Sequence, residues 1–104
     1  MLNKRKFYIN GQWVNPIIPD DCKVINPSTE ENCAVISIGS KEDVDIAVKS
    51  AKDAFNDWAF TSKEEKINLL ETLYSNYKKR WADFANAIMM EMGAPKDFAT
   101  KLQA

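Results

Sequence analysis

The sequence contains no histidine, and only two cysteines and three glycines among 104 residues. The missing imidazole removes every Ser–His and Cys–His nucleophile pair, and most zinc sites with them. Chemistry carried by this chain would have to come from carboxylates, lysines, tyrosines or thiols. Cys22 and Cys33 are spaced far wider than a Cys-x-x-Cys redox motif, and nothing basic of the imidazole kind is present to activate them. They read as free thiols on or beside strands, in keeping with a reducing, cytoplasmic setting. Gly11, Gly39 and Gly93 are scattered, so no glycine-rich phosphate loop is present. Long apolar runs are absent too. None approaches the ~20 residues that cross a bilayer. The basic start leads straight into FYINGQW, which leaves no room for the apolar core of a signal peptide. A net charge of −1 with mixed signs gives no field that would draw nucleic acid or an anionic membrane. The run Lys4-Arg5-Lys6 reads as a solvated terminus.

What remains is the composition of an ordinary globular protein, 45% hydrophobic and 28% charged, in a length that makes at most one domain. The segment FYINGQWV carries a short-range hairpin signal. Asn10-Gly11 stands between Phe7-Tyr8-Ile9 and Gln12-Trp13-Val14, and Asn-Gly accepts the positive φ that a type I′ turn needs at both positions. NPIIPDD follows as a connector, since its prolines cannot sit inside a sheet. A second hairpin is expected with Val24-Ile25 on one arm and residues 34 to 38 on the other, joined by a polar turn over residues 26 to 32. Ala34, Ile36 and Ile38 alternate with Val35 and Ser37, which makes one face more apolar than the other.

From Gly39 the period changes. Ser40-Lys41-Glu42-Asp43 fits a capping-box start, and Val44, Val48, Ala51, Phe55 and Trp58 then form one stripe of an α-helix. Ser62-Lys63-Glu64-Glu65 repeats the start signal. Behind it Ile67, Leu70, Tyr74, Tyr77, Trp81, Phe84, Ile88 and Met92 advance at about 3.6 residues per step, one helical turn. Lys78-Lys79-Arg80 marks either a bend or a polar face of that helix. Gly93 falls where a left-handed cap is wanted, and Pro95 suits the first turn of a further helix carrying Phe98, Ala99 and Leu102. MEMGAP therefore reads as a joint between helices. The organisation expected is a β-hairpin arm over residues 1–38 and a helical segment over 39–104. The two long stripes need a broad apolar partner, so this chain by itself is expected to expose a large apolar patch.

Few residues offer chemistry. The acidic pairs Asp20-Asp21, Glu30-Glu31 and Glu64-Glu65 are neighbours that do not converge, and carboxylates at a helix start answer its dipole. Glu91 differs. It lies seven residues after Phe84, about 20° round an ideal helix, and so falls on the apolar stripe. It also lies in the last turn, beside carbonyls that lack partners and at the end where the dipole disfavours negative charge. That is a natural oxygen site for a small cation, unless the carboxylate simply reaches water or a basic residue from elsewhere.

Taken together, YINGQWV, VINPSTEE, AVISIGSKEDVDIAVKSAKDAF with Trp58, SKEEKINLLETL and EMGAP resemble, in order and spacing, the N-terminal segment of the NAD(P)-dependent aldehyde dehydrogenases. The resemblance covers residues 7 to 95. It departs from the usual pattern at Thr29-Glu30-Glu31, where the family often has Thr-Gly-Glu, and at Lys52 and Lys66, where arginine is common. It implies an α/β fold for the intact protein, of which this segment would be two β-hairpins, two long helices and the start of a third. Residues 39–104 would then be part of an incomplete cofactor-binding domain. It implies oxidation of an aldehyde to a carboxylic acid through a cysteine thiohemiacetal, with hydride passing to NAD or NADP. The family places that cysteine, the water-activating glutamate and the cofactor glycines downstream, so no catalytic or cofactor-binding residue carries over and the chain alone is expected to be inactive. Some members bind a monovalent cation, and the matching positions here are the carbonyls of Val24 and Ile25 and the acid Glu91. Implied partners are the aldehyde substrate, the remainder of the polypeptide and further copies in a homo-oligomer. The rival reading is a stand-alone, non-enzymatic interaction module that uses its exposed apolar stripe.

Overall fold

The structure, a computed structural model, describes residues 1–104. The chain divides into two compact units, one formed by Met1–Val24 with Asn32–Phe60 and the other by Ile25–Glu31 with Thr61–Ala104.

In the first unit the NG signal is realised as read. Strands β2 (Phe7–Ile9) and β3 (Gln12–Val14) pair antiparallel, with Tyr8 opposite Trp13, and Asn10 and Gly11 have φ of 52° and 74°. The N-terminus is not a free tail. Residues Leu2–Lys4 form β1, which runs parallel to β5 (Glu31–Ser37) with Leu2 beside Ala34 and Lys4 beside Ile36. β4 (Asp21–Asn26) flanks β5 on the other side, giving the order β1-β5-β4. Arg5 is likewise no solvated charge: its Nε and Nη2 donate to the two carboxylate oxygens of Asp21 at 2.7 and 2.6 Å.

Burial on β5 does not divide along its two faces. Val35 and Ser37 are buried, at 3% and 8% exposed, while the isoleucines Ile36 and Ile38 stand open. On the side that carries those isoleucines only Ala34 is buried, at 7% exposed.

Helix α1 (Lys41–Ala59) starts on the predicted capping box. The Ser40 hydroxyl accepts from the Asp43 amide at 3.2 Å, and Asp43 Oδ2 accepts from the Ser40 amide at 2.9 Å. Asp43 does more than cap. Its other oxygen accepts from the Ile17 amide at 3.1 Å, which pins the NPIIPDD connector to the helix start, and the residue is buried.

The second unit begins with the tip of the β4–β5 hairpin. Four residues make the turn where seven were expected, because β4 runs to Asn26 and β5 starts at Glu31. The carbonyl of Asn26 accepts from Thr29 and Glu30 at 3.3 and 2.8 Å, while its side chain accepts from the Ser28 amide at 2.9 Å. This closes a tight loop whose last residue, Glu30, is left-handed at φ 59°.

Helix α2 (Lys63–Lys79) opens on the second capping box, Ser62 with Glu65. The long stripe behind it is not one helix. It breaks at Arg80, whose φ and ψ are −108° and 14°, and resumes as α3 (Trp81–Met92). No proline or glycine lies there. Tyr77 stacks on Phe84 across the break with ring centres 4.5 Å apart, and meets Trp81 edge-on at 6.1 Å.

Gly93 ends α3 in the left-handed conformation expected of it, φ 65°. A Cβ there would come within 2.9 Å of both Pro27 Cγ and Ser28 Oγ, so the turn at the hairpin tip rests directly on this glycine. Pro95 lies just outside the next helix rather than within its first turn, and that helix, α4 (Lys96–Phe98), widens into a π-turn over Ala99–Gln103. It is held to α3 by the Trp81 indole, which donates to the Thr100 carbonyl at 2.8 Å, and by the buried alanines Ala85 and Ala99.

Candidate functional site

The chain offers three kinds of polar arrangement. The first is the Arg5–Asp21 pair, a bidentate contact at the foot of β1 and β4. The hydrogen bonds from Arg5 hold the Asp21 carboxyl below its ordinary value and raise the guanidinium in turn. Arg5 borders an open hollow of about 480 Å³ with Lys4, Lys6 and Trp13, and the pair together borders another of about 580 Å³ with Asn15, Asp20 and Ser37. Neither sets a nucleophile beside a base.

The second is Asp43, whose carboxyl is held low first by the Ser40 amide and then by the Ile17 amide. Both oxygens are committed to structural donors, so this carboxylate is a tie and not an acid or base for a substrate. Glu65 is held low in the same way by Ser62.

The third is the set named for a cation. Ile25 and Glu91 both belong to the second unit, and Val24 precedes Ile25 directly as the last residue of its stretch of the first. The carbonyl of Val24 accepts from the Cys33 thiol at 3.3 Å, a weak bond that leaves a lone pair free. Glu91 is exposed on the last turn of α3 and makes no ion pair. Oxygen donors of this kind are hard ligands and suit a hard cation. No cluster of three or more His, Cys, Asp or Glu residues that could hold a metal ion is assembled in the chain. Neither cysteine is in a disulfide, and both are half-buried, on β4 and β5.

The apolar surface is where the chain is most unlike a finished domain. Val44, Val48, Phe55 and Trp58 line one side of α1 and are all exposed, Phe55 by 64%. On α2 the exposed set is wider than the stripe read from the sequence, because Leu69 and Leu73 join Ile67, Leu70 and Tyr74. Only Ala34, Val35, Ala85 and Ala99 are buried hydrophobics, and none of them is large. The arrangement is that of a β-then-α segment whose apolar helix faces are uncovered in this chain.

The comparisons with known proteins give that class its family. The family model for the aldehyde dehydrogenase family matches residues 13–103. A 3-succinoylsemialdehyde-pyridine dehydrogenase from a Pseudomonas species is 44% identical over 105 residues, which is 100% of this chain and 22% of that protein. The crystal structure of an aldehyde dehydrogenase from Bartonella henselae superimposes with a TM-score of 0.98 at 54% identity, over 99% of this chain and 22% of that one. Aldehyde dehydrogenase C of Pseudomonas syringae, crystallised as a variant with NAD+ and octanal, gives a TM-score of 0.93 at 39% identity, over 95% of this chain and 20% of that one. This chain belongs to the aldehyde dehydrogenase family. It corresponds to an N-terminal portion of the family fold and spans about a fifth of the length of these relatives.

Proposed function

We propose that this chain is the structural front of an NAD(P)-dependent aldehyde dehydrogenase, in which residues 1–38 form a hairpin arm and residues 39–104 supply helices that pack around the cofactor-binding domain. The observation that carries this reading is the join between family and surface: a chain matched along residues 13–103 to these enzymes leaves the apolar faces of α1 and α2 uncovered. The intact protein would oxidise an aldehyde to the acid, with NAD or NADP accepting hydride. The Pseudomonas syringae relative, crystallised with NAD+ and octanal, supports this reading. Residues of this chain would not touch the reacting atoms. Their work is to hold the scaffold: Asp43 ties connector to helix, and Gly93 seats the hairpin turn on the α3 terminus. A cytoplasmic, homo-oligomeric enzyme is the setting that goes with this reading.

The test is an assay of two products. The 104-residue chain should give no aldehyde-dependent NADH, whereas the product of the reading frame extended past the Ala104 codon should. A stop codon directly after Ala104, together with a cooperatively unfolding monomer, would overturn the reading in favour of an interaction module that uses the open faces of α1 and α2.

The same reading includes a monovalent cation held by the carbonyls of Val24 and Ile25 and the carboxylate of Glu91. The exposed carboxylate of Glu91 on the last turn of α3, an oxygen donor, supports it. In the intact enzyme, replacing sodium or potassium by a bulky organic cation should lower the melting temperature, and Glu91→Gln should abolish that dependence. A cation dependence unchanged in Glu91→Gln would remove Glu91 from the site.

A further inference from the structure

The β2–β3 hairpin holds a group that can react with its own backbone. Of the asparagines in the chain, Asn10 alone is followed by glycine. Both turn residues are exposed, and beyond the two chain neighbours no atom lies within 4 Å of the place a Gly11 Cβ would occupy. The turn is therefore open to water on the side where a Gly11 side chain would stand. We propose that Asn10 is a site of spontaneous deamidation through a cyclic imide. The Gly11 amide nitrogen bonds to the Asn10 side-chain carbonyl carbon, the bond from that carbon to the side-chain nitrogen breaks, and ammonia leaves with the proton lost by Gly11. Water then opens the five-membered ring at one carbonyl or the other. One opening gives aspartate, and the other gives isoaspartate, in which the main chain runs through the former side chain.

The folded turn is not the reactive geometry. At φ 52° and 74° the type I′ turn fixes Asn10 and Gly11 in the paired hairpin, whereas ring closure needs the Asn10 backbone to rotate. The reaction passes through an opened turn, and its rate follows how often the hairpin opens. Opening is easy here, because each strand has three residues and such two-stranded ribbons are marginal alone. The exposed pair Tyr8–Trp13, with ring centres 5.2 Å apart, is the local contact that opposes opening. Once isoaspartate forms, the extra main-chain carbon spoils a two-residue turn, and the new carboxylate adds a negative charge to a chain of net charge −1. The register that sets Tyr8 opposite Trp13 is then lost.

The experiment is to incubate the chain at mildly alkaline pH, digest it, and follow by mass spectrometry the conversion of amide to acid at each asparagine, with isoaspartate distinguished by fragmentation. Conversion should appear first at Asn10, rise with pH and give mostly isoaspartate, while Asn10→Gly, which keeps the positive φ, should show none in that peptide. Trp13→Ala removes the opposing ring pair and should speed conversion by roughly two- to tenfold, the rate equivalent of one aromatic pair. An Asn10 that stays intact while another asparagine converts would overturn the proposal. An unchanged rate in Trp13→Ala would overturn the route through hairpin opening.

Discussion

Glu30 shows how one residue can be out of place in a turn that is otherwise well made. It is left-handed at φ 59°, in a loop closed by two amides on the Asn26 carbonyl. A side chain with a Cβ is disfavoured there by about 1–2 kcal/mol, and glycine regains most of that less its greater chain entropy. Glu30→Gly should therefore stabilise the chain by about 0.5–1 kcal/mol, read as a higher urea midpoint at unchanged slope. A lower midpoint would mean that the Glu30 side chain makes a contact worth more than the strain. The same position is where the family resemblance departs from Thr-Gly-Glu, so the departure falls on the one turn residue whose backbone asks for glycine. That much was legible in the string NPSTEE only as an oddity. Its cost became readable with the φ.

Asp43 sets a pH dependence whose sign follows from its donors. The Ser40 and Ile17 amides favour the charged form and hold the folded pKa below the unfolded one, so between the two values the unfolded chain binds more protons. Stability from this group is complete above the ordinary carboxylate range and is lost as pH falls below about 4. Asp21 and Glu65, held low by Arg5 and Ser62, act in the same sense. The midpoint of unfolding should be level near neutrality and drop on acidification, with a shallower acid slope in Asp43→Asn. An Asn variant with an unchanged slope would show that Asp43 is not the group being titrated.

At the scale of elements, the helices were legible where their signals are local and illegible where they are not. Both capping boxes and the left-handed Gly93 are fixed by residues within a turn of one another, and both appear as read. The break at Arg80 has no such signature, since a continuous 3.6-residue stripe runs through it. Its meaning lies in Tyr77 and Phe84. In an unbroken helix, residues seven apart are separated by about 10.5 Å along the axis, too far for ring centres at 4.5 Å. The kink brings the two rings face to face, and the Trp81 indole bonded to the Thr100 carbonyl anchors the far side. Phe84→Ala should cost at least about 1 kcal/mol from the lost ring pair alone, with loss of near-ultraviolet ellipticity from Tyr77 and Trp81. Helix content that holds or rises in this variant would accord with α2 and α3 running together once the stack is gone. Strand β1 escaped notice for the same reason as the kink, because its partner Ala34 lies far along the sequence from Leu2 and Leu2–Lys4 is too short to carry a period.

For the molecule as a whole, area decides. The chain leaves 8407 Å² accessible to solvent. A self-contained monomer of 11.8 kDa leaves about 5,900 Å². The difference is paired with exposed Phe55, Trp58, Leu69 and Leu73, so the uncovered surface is apolar where a finished protein would have buried it. A core residue and a surface residue respond oppositely to truncation, which makes Phe55 a probe of what covers α1. In the 104-residue chain Phe55 is 64% exposed, and Phe55→Ala should change stability by no more than about 0.5 kcal/mol. In the intact protein the same change should cost about 3–5 kcal/mol, the value for a phenylalanine removed from a packed interior. Denaturant midpoints of both variants in both contexts give the four numbers. A large loss in the short chain would mean that α1 already packs within it. A small effect in both would mean that the face of α1 stays open in the intact protein, and the scaffold reading would then have to give way to one in which that face meets a separate partner.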